Sequence, residues 1–144
     1  MNLQKNARAI IIGGGISGCS VAYHLAKLGW QDVVLLERQK LTSGTTWHAA
    51  GLIGQLRNSQ NMTRLAKYSA ELYVDLAQET GIETGMKQNG SITVALTDSR
   101  KEELNRQAAL ARAFGVEVSE IGPKEIKDKY PILNTEGVLS GVFL

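Results

Sequence analysis

Cysteine is almost missing from this chain: Cys19 stands alone among 144 residues. An intrachain disulfide is therefore excluded. So is a Cys-x-x-Cys pair that could grip a metal or cycle between thiol and disulfide. Cys19 falls near the start of a helix-forming stretch, where a thiolate would be favoured. A small residue packing under a glycine-rich turn is the simpler use for it. Long hydrophobic runs are also lacking. The run Ala9-Ile10-Ile11-Ile12 follows a short polar lead and is cut by three glycines. It is too short to span a bilayer and has the wrong flanks for a signal peptide. Neither sign of charge dominates, since 16 basic and 14 acidic residues leave a net charge of +2. That balance argues against a nucleic-acid or membrane partner. Runs such as Arg100-Lys101-Glu102-Glu103 read as solvated helix faces, and there is no repeat or low-complexity tract. The lack of a targeting stretch leads to the expectation of a cytoplasmic protein. A folding pattern that begins almost at Met1 suits a bacterial-type cytoplasm.

What remains is an ordinary globular composition, with 43% apolar and 21% charged residues, enough for a real core. Ala9 to Ile12 is a β-branched run suited to a strand buried on both faces. Gly13-Gly14-Gly15 breaks it. Val21, Ala22, Leu25 and Leu28 then recur at helical spacing from about Ile16 to Leu28, and Gly29 supplies the stop. Val33 to Leu36 is a second strand, so this βαβ unit predicts two parallel strands. Residues 38 to 58 hold few periodic apolar positions and many small ones. A long irregular stretch of this kind is usually functional, and it contains Trp47 and His48.

Further on, a helix is predicted from Asn61 to Glu79, with Met62, Leu65, Ala66, Ser69, Leu72, Leu76 and Ala77 as its core stripe. Asn89-Gly90 marks a turn before a strand over Ser91 to Leu96. Ser99 and Glu102 form a capping box for a third helix that runs to Phe114 and stops at Gly115. A strand over Val116 to Ile121, a short helix between Gly122-Pro123 and Tyr130-Pro131, and a final strand over Val138 to Leu144 complete the pattern.

The chemistry lies in Gly13-Gly14-Gly15-Ile16-Ser17-Gly18, which fits G-x-G-x-x-G. Alone the pattern is weak, but here a strand precedes it and a helix follows. Gly13 permits the tight turn, Gly15 lets backbone approach a pyrophosphate, and Gly18 lets helix and strand pack closely. Free amides at the helix start then face the phosphates. Glu37 ends the second strand, 24 residues after Gly13. A carboxylate there accepts both hydroxyls of an adenosine ribose and repels a 2′-phosphate, which disfavours NADP. His24 is an isolated helical histidine with no assigned role. The residues themselves define a dinucleotide site and leave the choice between flavin and nicotinamide open.

Leu35-Leu36-Glu37-Arg38, followed by Thr42-Ser43-Gly44-Thr45-Thr46-Trp47-His48-Ala49-Ala50-Gly51-Leu52, resembles the D-amino-acid-oxidase-type flavoproteins. More closely it resembles the sarcosine and dimethylglycine dehydrogenases. Gln55-Leu56-Arg57, Glu79-Thr80-Gly81 and Gln88-Asn89-Gly90 lean toward sarcosine dehydrogenase. The resemblance implies an α/β fold: a Rossmann-like FAD-binding βαβ segment over residues 1–60, and over 61–144 a segment leading into an α+β substrate domain, the whole being a fragment of a longer enzyme. It implies FAD contacts from Gly13, Gly15, Ile16, Ser17, Gly18, Glu37, Arg38, Ser43, Gly44, Thr45, Thr46, Trp47, His48, Ala49, Ala50 and Gly51. His48 takes the position of a histidine bonded covalently to a methyl carbon of the flavin. The implied reaction is hydride loss from an N-methyl amino acid to the flavin, leaving an iminium that releases formaldehyde or passes its carbon to tetrahydrofolate. Electrons then leave through an electron-transfer acceptor or oxygen. No residue for the substrate carboxylate is defined, Arg57 being the nearest candidate. Two other readings stay open: a NAD-dependent dehydrogenase, which leaves residues 42–54 without a purpose, and a non-catalytic regulatory homologue.

Overall fold

The structure, a computed structural model, describes residues 6–144; the start of the polar lead lies outside them. The chain divides into two compact units, the first ending at Leu52 and the second spanning Ile53–Leu144.

The first unit is the βαβ motif. Strand β1 (Ala9–Ile12) pairs in parallel with β2 (Val33–Leu36), Ala9 opposite Val33 and Ile12 opposite Leu36. Helix α1 (Ile16–Lys27) connects them and packs on both. It ends because Gly29 adopts a positive φ of 78° that few other residues tolerate. The expectation that β1 is buried on both faces is corrected. Ala9 and Ile11 are half-buried, whereas Ile10 and Ile12 are 61% and 87% exposed. A lone helix covers one face of a sheet, and successive side chains point to opposite faces.

The second unit is α+β. Helix α2 (Gln60–Thr80) starts at Ser59, whose hydroxyl accepts the Met62 amide, and ends at Gly81. Strands β3 (Ile92–Ala95), β4 (Ser119–Ile121) and β5 (Ser140–Phe143) form an antiparallel sheet in the order β3-β5-β4. Helix α3 (Asp98–Ala113) packs on it, burying Leu104 and Ala108 against Ala95 and Val142. Helix α4 (Pro123–Lys129) adds the fully buried Ile126.

Two local expectations are revised. The cap of α3 is Thr97, which accepts the Arg100 amide, and Ser99 lies inside the helix. The buried face of α2 is Thr63, Ala66 and Ala70, while Met62 and Leu65 of the expected stripe are exposed. Thr63 is buried although polar because its hydroxyl is satisfied twice, accepting from the Arg57 amide and donating to the Arg57 carbonyl. No helix among the described residues is long and apolar enough to cross a membrane.

Candidate functional site

The glycine turn is built by contacts that only glycine permits. Gly13 sits at a φ of +100°. A Cβ on Gly18 would lie 1.8 Å from the Gly13 carbonyl oxygen, so the first turn of α1 rests directly on the end of β1. Gly14 is buried, and a Cβ there would meet Leu41 Cδ2 at 2.5 Å and Glu37 Cβ at 3.1 Å. Beneath the turn, Cys19 Sγ reaches the Gly14 carbonyl at 3.5 Å, a packing use of the thiol.

Glu37 stands beside this turn. Its Oε2 accepts the Gly14 amide at 2.7 Å and its Oε1 accepts the Gln39 amide at 2.9 Å. The Gly14 amide first, then the Gln39 amide, hold the carboxyl below the usual carboxylate range. The Arg38 amide and charge add to this, and partial burial opposes it. A carboxylate has about four acceptor positions, so two bonds to backbone leave room for two hydroxyls. The latch and a ribose contact are therefore compatible.

The stretch after β2 folds back over the turn. The Thr42 amide donates to the Gly14 carbonyl at 2.8 Å, and Thr46 Oγ1 accepts the Ile16 amide at 2.9 Å. A short 3-10 turn, Thr45–His48, follows. Together these parts enclose a cleft of about 500 Å³, within the usual range for a small-molecule site. Of the expected cofactor residues, Gly13, Gly15, Ile16, Ser17, Gly18, Glu37, Arg38, Ser43, Gly44, Thr45, Thr46 and Ala49 line it. Trp47, His48, Ala50 and Gly51 are exposed and lie off its wall. Arg57, the candidate for a substrate carboxylate, turns its guanidinium onto the Leu56 carbonyl at 2.9 Å.

Sequence reasoning missed Ile12, Gln39 and Thr42 on the cleft wall, and Gly14 and Leu41 behind it. Gly14 was legible as a third glycine at a position where the motif accepts any residue. Thr42 opens the run that carries the resemblance, but nothing in it signals the backbone: it is β-branched yet sits at a φ of +64°, a conformation that costs about 1–2 kcal/mol.

The cleft fits a diphosphate. Apart from the Ile16 amide, the amides of the first turn of α1 have no preceding carbonyl of the helix to bond, and glycine brings backbone to the surface there. The helix dipole favours an anion at that end.

A parallel strand–helix–strand unit whose glycine turn, helix start and strand-end acid share one cleft defines a dinucleotide-binding fold. The profile of the family described as FAD dependent oxidoreductase (DAO) matches residues 8–144, and the chain belongs to that family. Membership sets aside the NAD-dependent reading. The chain is 42% identical over 143 residues to mitochondrial sarcosine dehydrogenase of Mus musculus, covering 99% of this chain and 16% of that protein. It is 41% identical over 142 residues to the mitochondrial pyruvate dehydrogenase phosphatase regulatory subunit of Mus musculus, at 99% and 16% coverage. It is 43% identical over 140 residues to mitochondrial dimethylglycine dehydrogenase of Homo sapiens, at 97% and 16% coverage. Among solved structures, L-proline dehydrogenase from P. horikoshii superposes with a TM-score of 0.89 at 30% identity, covering 98% of this chain and 37% of that one. The chain thus spans about a sixth of the length of these curated relatives.

The cytoplasmic expectation is corrected. The sarcosine dehydrogenase, regulatory-subunit and dimethylglycine dehydrogenase relatives are mitochondrial proteins, which points away from the cytoplasm. The lack of a recognisable targeting stretch carries no address by itself.

The Glu37 latch makes a pH-dependent prediction. A carboxyl whose folded pKa is depressed contributes stability in full above its unfolded pKa and loses it as pH falls through the folded value. Thermal melts of wild type and Glu37→Gln should therefore differ most near neutral pH and converge in acid, between about pH 7 and about pH 3. A gap that stays constant across that window would contradict the latch.

Proposed function

We propose that this chain carries the FAD-diphosphate cradle of an enzyme that oxidises an N-methyl amino acid, sarcosine or dimethylglycine being the leading substrates. The observation that carries the cradle is the shared cleft: Gly18 seated on Gly13, with Glu37 latched to Gly14 beside it. In this reading the Gly15, Ser17 and Gly18 amides and the Ser43, Thr45 and Thr46 hydroxyls hold the diphosphate. Gly44 and Ala49 keep that wall small. Glu37 takes the ribose hydroxyls, and Arg38 adds positive charge at the mouth. His48 forms the covalent link to the flavin, with Trp47, Ala50 and Gly51 against the ring system. Residues 1–60 make up the cofactor segment, and 61–144 lead into the substrate domain. Bound there, the flavin supplies the redox chemistry, and the protein supplies position and electrostatics. Tetrahydrofolate as one-carbon acceptor belongs to the same reading, at a site other than this cradle.

The substrate assignment is supported by the relatives named for sarcosine and dimethylglycine. It is tested by amine-dependent reduction of an artificial dye by the intact protein. Sarcosine or dimethylglycine should bleach the flavin and reduce the dye, and L-proline should do neither. A second reading is favoured by the regulatory-subunit relative at 41% identity: the protein binds FAD and turns over no amine. Flavin-loaded protein that reduces no dye with either N-methyl substrate would select it.

A further inference from the structure

We propose that Thr46 is a positioning residue that fastens the His48-bearing turn to the phosphate cradle, so that diphosphate binding and the placement of His48 are coupled through one hydroxyl. This rests on the FAD reading above and goes beyond it.

Helix α1 begins after Gly15, which has no side chain to cap it. The cap comes instead from 30 residues away, where Thr46 Oγ1 accepts the Ile16 amide at 2.9 Å. The contact is close: a Cβ on Gly15 would lie 3.1 Å from that same oxygen. Thr46 is the second residue of the 3-10 turn Thr45–His48, which is closed by the Trp47 amide on the Gly44 carbonyl and the Ala49 amide on the Thr46 carbonyl. Any movement of Thr46 is therefore passed to His48 two residues on.

A second fastening lies at Thr42, whose amide bonds the Gly14 carbonyl from a left-handed backbone conformation. A β-branched residue persists there only where its surroundings over-determine it. The loop is thus drawn onto the glycine turn at two points, Gly14 and Ile16. Thr46 differs from Thr42 in using its side chain. A hydroxyl that accepts from Ile16 keeps its own proton to donate. It can meet an anion in the cradle without giving up the helix, so a diphosphate tightens the link.

The test uses the intact protein with ADP as the diphosphate probe, read by hydrogen exchange over residues 42–49. In wild type ADP should slow exchange across Thr45–His48. Thr46→Val, which keeps shape and loses the hydroxyl, should bind ADP more weakly; at saturating ADP it should exchange about fivefold faster than wild type in that turn and show no ADP-dependent protection there. Thr46→Ser should restore the protection, and Thr46→Ala should lose it like valine, which guards against a packing defect of one variant. The acid-stable share of flavin should follow the same order. A Thr46→Val protein that ADP protects as it does wild type overturns the coupling alone. Wild-type protein that binds neither ADP nor FAD overturns the FAD reading beneath it.

Discussion

Gly18→Ala should leave the intact protein colourless after purification. The new Cβ would stand 1.8 Å from the Gly13 carbonyl oxygen, far inside the distance of an ordinary carbon–oxygen contact. A flexible side chain could swing away, but the obstacle here is backbone at the end of β1, held by the Gly13 amide on the Leu36 carbonyl at 2.8 Å. Relief requires α1 to lift off the strand, which carries its amides away from the phosphates. Overpacking of this kind costs about 3 kcal/mol, or about a hundredfold in FAD affinity if it falls on the bound state. Flavin absorbance per protein and a thermal melt measure the two halves. A variant with wild-type flavin content would refute the close-approach role of Gly18.

His48→Ala should remove all acid-stable flavin while leaving the protein folded. The residue is exposed at the end of the 3-10 turn, so its truncation opens no cavity. It lies off the diphosphate cleft, as a partner of the flavin ring should, because that ring sits at the other end of the cofactor from the adenosine. Flavin should persist as a dissociable cofactor held by the cradle. The measurement is acid precipitation: a yellow wild-type pellet and a colourless variant pellet with a yellow supernatant. A colourless wild-type pellet would end the covalent assignment.

Much of the framework was legible because it is set by short-range chemistry. The runs 9–12 and 33–36 become strands with those bounds, since each is a short apolar run rich in β-branched residues, the first stopped by Gly13 and the second by Glu37. Helices end where Gly29, Gly81 and Gly115 supply a positive φ. What was hidden depends on tertiary placement. Thr97 and Ser99 both offer a hydroxyl at the start of α3, 3.3 Å from each other, and it is Thr97, in extended backbone, that caps. Val116 was expected in a strand, but its amide bonds the Ala111 carbonyl at the helix end, so β4 starts only at Ser119. In the site, the glycine motif and the strand-end acid were visible as residue types at a spacing. The Glu37 latch on Gly14 and the Thr46 cap on Ile16 join residues 23 and 30 apart in the chain. No local pattern announces such bonds.

The βαβ sheet consists of two four-residue strands. Strands that short depend on what packs against them, here helix α1 on one face. A ligand that binds only the folded form adds about 2.7 kcal/mol at a hundred times its Kd. Proteases should therefore cut within this unit sooner when its cleft is vacant than when a dinucleotide fills it.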